Sequence, residues 1–314
     1  MANKPLVAIV IVNWNKKEMT RECLKSLNLT AYPNFKTLLV DNGSTDGSIE
    51  YLKKLNINSN IEFISLDKNY GYTIGTNIGW RHALREYNAD YICVMDNDVI
   101  TIQEEWLDRI IDELEKSPEH GIGSGKHLFE DGKLQSPYIG TDPEDHYVPD
   151  TGKYDFVREV EGFCGPAMVI KKSTIEKIGY YDENYFYGPN DIDYCNRARK
   201  AGIKLIYTGL SKSIHIGSVS GKIKNDKLYG KQAEGMMIFS FRYEEFVKSF
   251  AMVFRQLARS FFTRINPNEP MRFTNLYFYK SFPIRIGYWG AAVFWAIKKY
   301  PQILNEKYDY KVIE

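Results

Sequence analysis

Three apolar runs in the first hundred residues stop at the same kind of residue. LVAIVIV (Leu6–Val12) stops at Asn13, TLLV (Thr37–Val40) at Asp41, and YICVM (Tyr91–Met95) at Asp96. Runs of Val, Ile and Leu without polar alternation suit strands buried on both faces, as in parallel sheets covered by helices. Helical patterns separate the runs. Lys16–Leu27 places Met19, Cys23, Leu24 and Leu27 on one face. Asp46 or Ser48 can cap a helix through Leu55, Ile61–Leu66 reads as a strand, and Thr73–Tyr87 reads as a helix. Alternation of this kind predicts an open parallel sheet with right-handed crossovers, and ligands beyond the carboxyl ends of its strands.

After Ile100 the pattern loosens. Glu104–Lys116 predicts an amphipathic helix, Ala167–Lys171 a strand, Asn190–Ala201 a helix and Lys204–Tyr207 a strand. Residues 117–160, rich in Gly, Pro, Asp and Tyr, are expected as loops, and from about residue 230 the chain reads as helical, aromatic and basic. Its 314 residues suffice for one large domain or two smaller ones. With 41 Lys and Arg against 40 Asp and Glu, it lacks the basic surplus of a nucleic-acid binder. Cys23, Cys93, Cys164 and Cys195 form no C-x-x-C pair, which argues against a disulfide framework or structural zinc and for a reducing compartment. No signal-peptide cleavage pattern precedes the first strand, and the longest uncharged apolar stretch, Ile286–Ile297, falls short of the ~20 residues of a spanning helix. A cytoplasmic location is therefore expected.

Four constellations could carry chemistry. In Asp96-Asn97-Asp98, extended backbone points residues i and i+2 the same way, so both carboxylates can face one hard divalent cation; a solvated acidic turn is the bland alternative. Asp41-Asn42-Gly43-Ser44-Thr45-Asp46-Gly47-Ser48 suits a turn and helix cap, and equally places Asp41 at the sheet edge holding Asp96. In Asn69-Tyr70-Gly71 through Gly79, Gly75 and Gly79 lie inside a predicted helix at a cost of up to ~1 kcal/mol each relative to Ala, which close approach of a ligand or of a packed neighbour would explain. In Gly188-Pro189-Asn190-Asp191-Ile192-Asp193, Asn190 can cap a helix whose dipole favours an ionised Asp191. Asp191 and Asp193 point about 200° apart on such a helix. Asp193 has Arg197 at i+4, leaving Asp191 as the catalytic candidate. His215, in an apolar setting, is a structural histidine or a ligand to a metal or phosphate.

VAIVIVNWN, LLVDNGSTDGS, NYGYTIGTNIG, VMDNDV, EGFCGPAMVI and NDIDYCNRARKAG, in that order over about residues 6–220, resemble glycosyltransferase family 2, in particular its rhamnosyltransferase-like branch. The resemblance implies a GT-A fold, an α/β arrangement with a Rossmann-like, mostly parallel sheet flanked by helices. It implies a nucleotide-sugar half (residues 1–100), an acceptor and catalytic half (101–225) and a helical C-terminal extension (226–314). By position, Asn13 and Asn15 would line the nucleotide pocket and Asp41 would contact base or ribose. Asn69, Gly71 and Asn77 would border the nucleotide-sugar. Asp96 and Asp98, with Asn97 between them, would meet ribose, diphosphate and a divalent metal, Mg2+ or Mn2+, with His215 near the diphosphate. Gly165 would belong to an acceptor-side loop, and Asp191 would be the general base of an inverting transfer from a nucleoside-diphosphate sugar to a glycan or polyprenyl-linked acceptor. The family has Glu-Asp where this chain has Asn190-Asp191.

Two basic-aromatic stretches, Phe246–Ile265 and Ile286–Ile297, suit either a bilayer interface, hence peripheral attachment to the inner membrane face, or a helical subdomain packed on the core or on a second copy. A catalytically silent nucleotide-sugar or glycan-binding module stays open because of Asn190. A sugar-phosphate nucleotidyltransferase is disfavoured because Asn13-Trp14-Asn15-Lys16-Lys17 replaces the Gly-rich, Arg-containing loop it would need.

Overall fold

A computed structural model describes residues 4–55, 60–163 and 165–216, with separate helical positions between 231 and 298. The first half alternates as expected: β1 (Val7–Asn13), α1 (Lys17–Ser26), β2 (Phe35–Asp41), α2 (Ser48–Lys54), β3 (Ile61–Ser65), α3 (Tyr72–Tyr87) and β4 (Tyr91–Asp96). There follow β5 (Val99–Thr101), α4 (Trp106–Glu115), β6 (His120–Leu128), β7 (Val157–Val160), β8 (Ala167–Lys171), α5 (Lys172–Ile178), α6 (Asn190–Lys200) and β9 (Lys204–His215). Among the described residues one nine-stranded sheet runs β3-β2-β1-β4-β8-β6-β9-β5, with β7 paired to β9 off that path. It is parallel from β3 to β4 and mixed beyond: β4 and β6 run antiparallel to β8, and β6 runs parallel to β9.

Strand β1 alternates between two apolar layers. Ala8 and Val10 join Leu38, Val40, Trp80 and Tyr194 on one face; Val7, Ile9 and Ile11 join Leu24, Leu39, Trp106 and Ile110 on the other. Both faces are covered, which is why these strands read as unbroken apolar runs.

The expectation of loops over residues 117–160 fails at both ends, where β6 and β7 lie. β6 is concealed by three glycines, which carry no β-branched signal. Each stands where a side chain would collide: an added Cβ on Gly121 would meet Thr174 Oγ1 at 2.3 Å, on Gly123 Ile110 Cγ2 at 2.6 Å, and on Gly125 the Ser211 carbonyl oxygen at 2.5 Å. Here tertiary packing overrides strand propensity. β9 also continues past the expected Tyr207 to His215. Between β6 and β7 the chain makes an excursion fastened from beneath by buried Lys126, which meets Asp150 at 2.7 Å and also Asp155, while Lys212 lies 2.9 Å from Asp155.

The same crowding explains Gly75 and Gly79 in α3. A Cβ on Gly79 would lie 2.4 Å from Val10 Cγ1, and one on Gly75 3.2 Å from Val12 Cγ1. The glycines serve close seating of α3 on the sheet. Of the two basic-aromatic stretches, Phe246–Ile265 lies outside the described residues, and Ile286–Ile297 is described only at Gly287, Gly290, Ala291 and Phe294, helical and exposed. No helix among the described residues is long and apolar enough to cross a membrane.

Gly79→Ala should destabilise the protein by about 1–3 kcal/mol although Ala is the better helix former, because overpacking against Val10 outweighs the propensity gain of ~1 kcal/mol. Chemical denaturation measures it; unchanged or raised stability would refute the packing account.

Candidate active site

Parallel register brings the three strand-terminal residues to one edge: Asn13 lies opposite Asp41, and Val12 opposite Asp96. Asn13 is fully buried and ties this edge together. Its Nδ2 donates to Asp41 Oδ1 (2.7 Å) and Ser44 Oγ (3.1 Å), and its Oδ1 accepts from Thr20 Oγ1 (2.7 Å) and Asn97 Nδ2 (3.3 Å). Asp41 also accepts from the Ser44 hydroxyl at 2.6 Å and the Ser44 backbone N–H at 3.0 Å. Asn15, at a left-handed φ of 53°, accepts from Thr45 N–H at 2.7 Å and so closes the β1 and β2 loops on one another.

A second tie holds the start of α3. Asn42 Nδ2 donates to Asn69 Oδ1 (3.1 Å) and the Gly71 carbonyl (2.9 Å), and Asn69 Oδ1 accepts from Gly71 N–H (2.8 Å). Gly71 has φ 96°, and a Cβ there would meet the Phe186 carbonyl at 2.7 Å. Asn77, expected beside a nucleotide-sugar, is instead buried within the protein, donating to the Tyr181 carbonyl at 2.8 Å and accepting from Tyr181 N–H at 3.1 Å. It fastens α3 to the segment leading into α6. Asn97 likewise turns inward, donating to Thr20 Oγ1 at 2.9 Å.

The acidic pair does converge. Asp96 ends β4, and the 97–98 turn into β5 carries Asp98 to the same side. β5 pairs antiparallel with β9, setting Val99 opposite His215. Ligand atoms of Asp96, Asp98 and His215 all lie within 4.8 Å of one another. His215 Nε2 is 3.2 Å from Asp98 Oδ1, a buried oxygen that makes no aligned hydrogen bond. Tyr72 donates its hydroxyl to Asp96 Oδ1 at 2.7 Å. Burial first, then the neighbouring Asp98 charge, pushes the Asp96 carboxyl well up from its ordinary value. Burial opposes protonation of His215, but the Asp98 and Asp96 carboxylates outweigh it and raise its pKa. His127, buried between the hydroxyls of Ser213 (2.7 Å) and Ser124 (3.3 Å), is pushed down to about 3 by burial and by the charge of His215, so it stays neutral. Two carboxylate oxygens, one of them buried without an aligned donor, and an imidazole nitrogen are a donor set that fits a divalent cation.

Asp191 opens α6. Asn190 is not the cap: the helix begins at Asn190 itself, Pro189 holds the cap position, and no side chain caps it. Burial, which outweighs the backbone N–H groups of Ile192 and Gly165, raises the Asp191 carboxyl to about 6. That reverses the direction expected from the helix dipole. Asp191 is partly reached by solvent, and its charge is felt at Asp96. Gly165 stands in the loop whose Pro166 carbonyl accepts from Asp96 N–H at 2.7 Å, so one loop touches both acids.

Asp193 faces the other way and is a hub. It accepts from Arg197 Nε (2.9 Å), Tyr185 Oη (3.2 Å) and Tyr243 Oη (2.7 Å). Arg197 also donates to the Ile178 and Tyr180 carbonyls. Arg242 pairs with buried Asp182 and lies 3.9 Å from Asp193. The Arg197 contact follows from i+4 spacing; Arg242 and Tyr243, some fifty residues on, leave no local signal.

The family model for glycosyl transferase family 2 matches residues 8–179. The low-salt glycan biosynthesis hexosyltransferase Agl10 of Haloferax volcanii is 27% identical over 219 residues, covering 67% of this chain and 66% of that protein. The O-antigen biosynthesis protein RfbC of Myxococcus xanthus is 22% identical over 229 residues, 69% of this chain but 18% of that protein. Among solved structures, a mannosyltransferase of Pyrobaculum calidifontis in complex with GDP-Man and Mn2+ superposes with a TM-score of 0.56 at 16% identity, covering 98% of this chain and 83% of that one. Residues 1–349 of Staphylococcus aureus TarS give 0.55 at 14%, again covering 98% and 83%. The fold is the α/β GT-A arrangement.

Removing one side of the hub should be costly. Asp193→Ala leaves Arg197 buried without its carboxylate and is expected to lose about 3–5 kcal/mol, read by denaturant unfolding; a loss below about 1 kcal/mol would show that the hub does not hold α6.

Proposed function

The chain belongs to glycosyl transferase family 2, and from that premise we propose that it transfers a hexose from a nucleoside-diphosphate sugar to a hydroxyl of a glycan or lipid-linked acceptor, inverting the anomeric carbon, with Asp191 as general base. The observation that carries the reading is the shared edge: the Asp96–Asp98–His215 cluster and Asp191 lie in one electrostatic neighbourhood, joined by the Gly165–Pro166 loop. The names of the relatives, glycan and O-antigen biosynthesis, support the acceptor class.

Unpaired, three acids at one edge would repel a diphosphate. Asp96, Asp98 and His215 would hold a divalent cation, which, when bound, offsets the charge developing on the departing diphosphate. Tyr72 fixes the rotamer of Asp96. Asn13, Asp41, Asn15 and Ser44 hold the strand-end loops that would face a nucleoside, and Asn69 and Gly71, tied to Asn42 at the start of α3, would border the nucleotide-sugar. Asn77 is left out of the donor contacts, since its amide is committed to Tyr181.

Asp191 takes the proton of the acceptor hydroxyl as that oxygen forms its bond to the anomeric carbon. The bond to the diphosphate oxygen breaks on the opposite sugar face, and the electron pair leaves with the diphosphate. A single base suffices, and none of the described residues forms a separate activated nucleophile in this edge. A carboxyl near 6 is ionised at neutral pH yet more basic than a free Asp.

Asp191→Asn should lower turnover by about 10²–10⁴-fold with nucleotide binding kept. Because the folded carboxyl is raised to about 6, the folded state gains stability from the protonated form at low pH and loses it as pH rises through that value. At neutral pH the wild type therefore carries a cost, and the Asn variant should be more stable by on the order of 1 kcal/mol, a figure discounted because solvent still reaches the group. Wild-type turnover in this variant would remove Asp191 from the mechanism. The profile of kcat/KM should fall about tenfold per pH unit below about 6 as the base protonates; a flat profile down to about pH 4.5 would contradict it. Calorimetry with UDP, dTDP, GDP and CDP, with Mn2+ and again with excess EDTA, should show one nucleotide bound in a metal-dependent way. No binding by a folded sample would move the chain toward a non-catalytic module.

A further inference from the structure

The excursion after β6, where the composition predicts featureless loop, delivers a side chain to the back of the acidic cluster. The chain turns at residues 130–132, where Gly132 takes φ 79°, and returns along β6: Phe129 N–H donates to the Lys133 carbonyl (2.7 Å), Leu134 bridges Leu128, and Gln135 N–H donates to the His127 carbonyl (3.0 Å). The return arm is held from its other side, Leu134 N–H donating to the Val148 carbonyl (2.7 Å) and Tyr147 N–H to the Leu134 carbonyl (2.8 Å). So placed, Gln135 presents Oε1 3.0 Å from His215 Nδ1. The opposite ring nitrogen, Nε2, faces Asp98 Oδ1 at 3.2 Å.

We propose that Gln135 is a positioning residue for the cation site: its amide oxygen accepts the Nδ1–H of His215 and so turns the Nε2 lone pair toward the volume shared with Asp96 and Asp98. The inference rests on the cation reading above. An imidazole that ligates through one nitrogen carries its proton on the other, and an acceptor there selects both tautomer and ring orientation. A backbone carbonyl or a carboxylate can fill that role. A neutral amide does so without setting a third negative charge beside two carboxylates where a diphosphate must also bind. The residue thus suits an anion-handling site better than the carboxylate partner of a metal-bound histidine would.

The test uses the full chain and Mn2+ alone, with free Mn2+ followed by electron paramagnetic resonance. Gln135→Met, which keeps length and removes the acceptor, should weaken Mn2+ binding by about 10–100-fold. Gln135→Glu, which keeps an acceptor, should bind within about threefold of wild type. His215→Ala should weaken binding at least as much as Gln135→Met, and adding Gln135→Met to His215→Ala should cost nothing further, because a residue acting only through His215 has nothing left to position. Should Gln135→Met not fold, Gln135→Ala carries the same arm. The proposal is overturned if Gln135→Met binds Mn2+ like wild type, if Gln135→Glu is as weak as Gln135→Met, or if the two losses add in the double variant. Failure of folded wild-type protein to bind Mn2+ is a different result: it removes the cation reading itself and the role of Gln135 with it.

Discussion

Like charge in a confined space organises this protein. Asp96 and Asp98 share a half-buried volume with His215, and Asp191 lies close enough to be felt there. Such an arrangement is unfavourable by itself, and much of the surrounding fold can be understood as what keeps it in place. β5 exists only long enough to set His215 across from Val99. Tyr72 arrives from the start of α3, Pro166 from the loop before β8. The parallel half of the sheet supplies one acid and the mixed half the histidine, so the cluster sits on the seam between them.

That seam decides how much is legible in the chain alone. Strands that are covered on both faces and end at Asn13, Asp41 and Asp96 announce a parallel sheet with its working edge at the carboxyl ends. The acidic pair is local, and its i, i+2 spacing is visible in the chain. His215 is visible as a histidine, but its nearness to Asp98 depends on β5–β9 pairing, which no short pattern encodes. β6 is hidden because its glycines answer to neighbours on α4, α5 and β9 rather than to strand propensity. Asn77 and Asn97 match expected positions, yet their amides are consumed by protein partners, an outcome only the fold decides. Gln135 carries no signal at all: it is an ordinary residue in a loop until a hairpin return puts it behind the imidazole.

Asp191 shows two local effects in competition. A first-turn position on α6 favours the anion, while burial disfavours it, and burial wins. The result is a group less comfortable as a carboxylate than its place on the helix suggests, and for that reason a better proton acceptor. Its neighbour two residues on has the opposite fate. Asp193 is wrapped by Arg197, Tyr185 and Tyr243. The same turn of helix therefore carries one acid under-satisfied and one saturated, which divides labour between reactivity and anchorage.

The anchorage has a consequence for how the chain can be divided. The match to the family ends at residue 179 and the last strand among the described residues at residue 215, and either looks like a natural seam for a truncation or a chimera. Asp182 and Asp193 take part of their counter-charge from Arg242 and a hydroxyl from Tyr243. A cut after residue 215 would keep both buried acids and strip them of those partners directly behind α6, whereas a cut after residue 179 would remove the acids and α6 themselves. A unit that keeps both acids partnered therefore includes Arg242 and Tyr243, and a C-terminal region grafted from a relative after residue 215 would have to bring its own arginine and phenol to the same two acids.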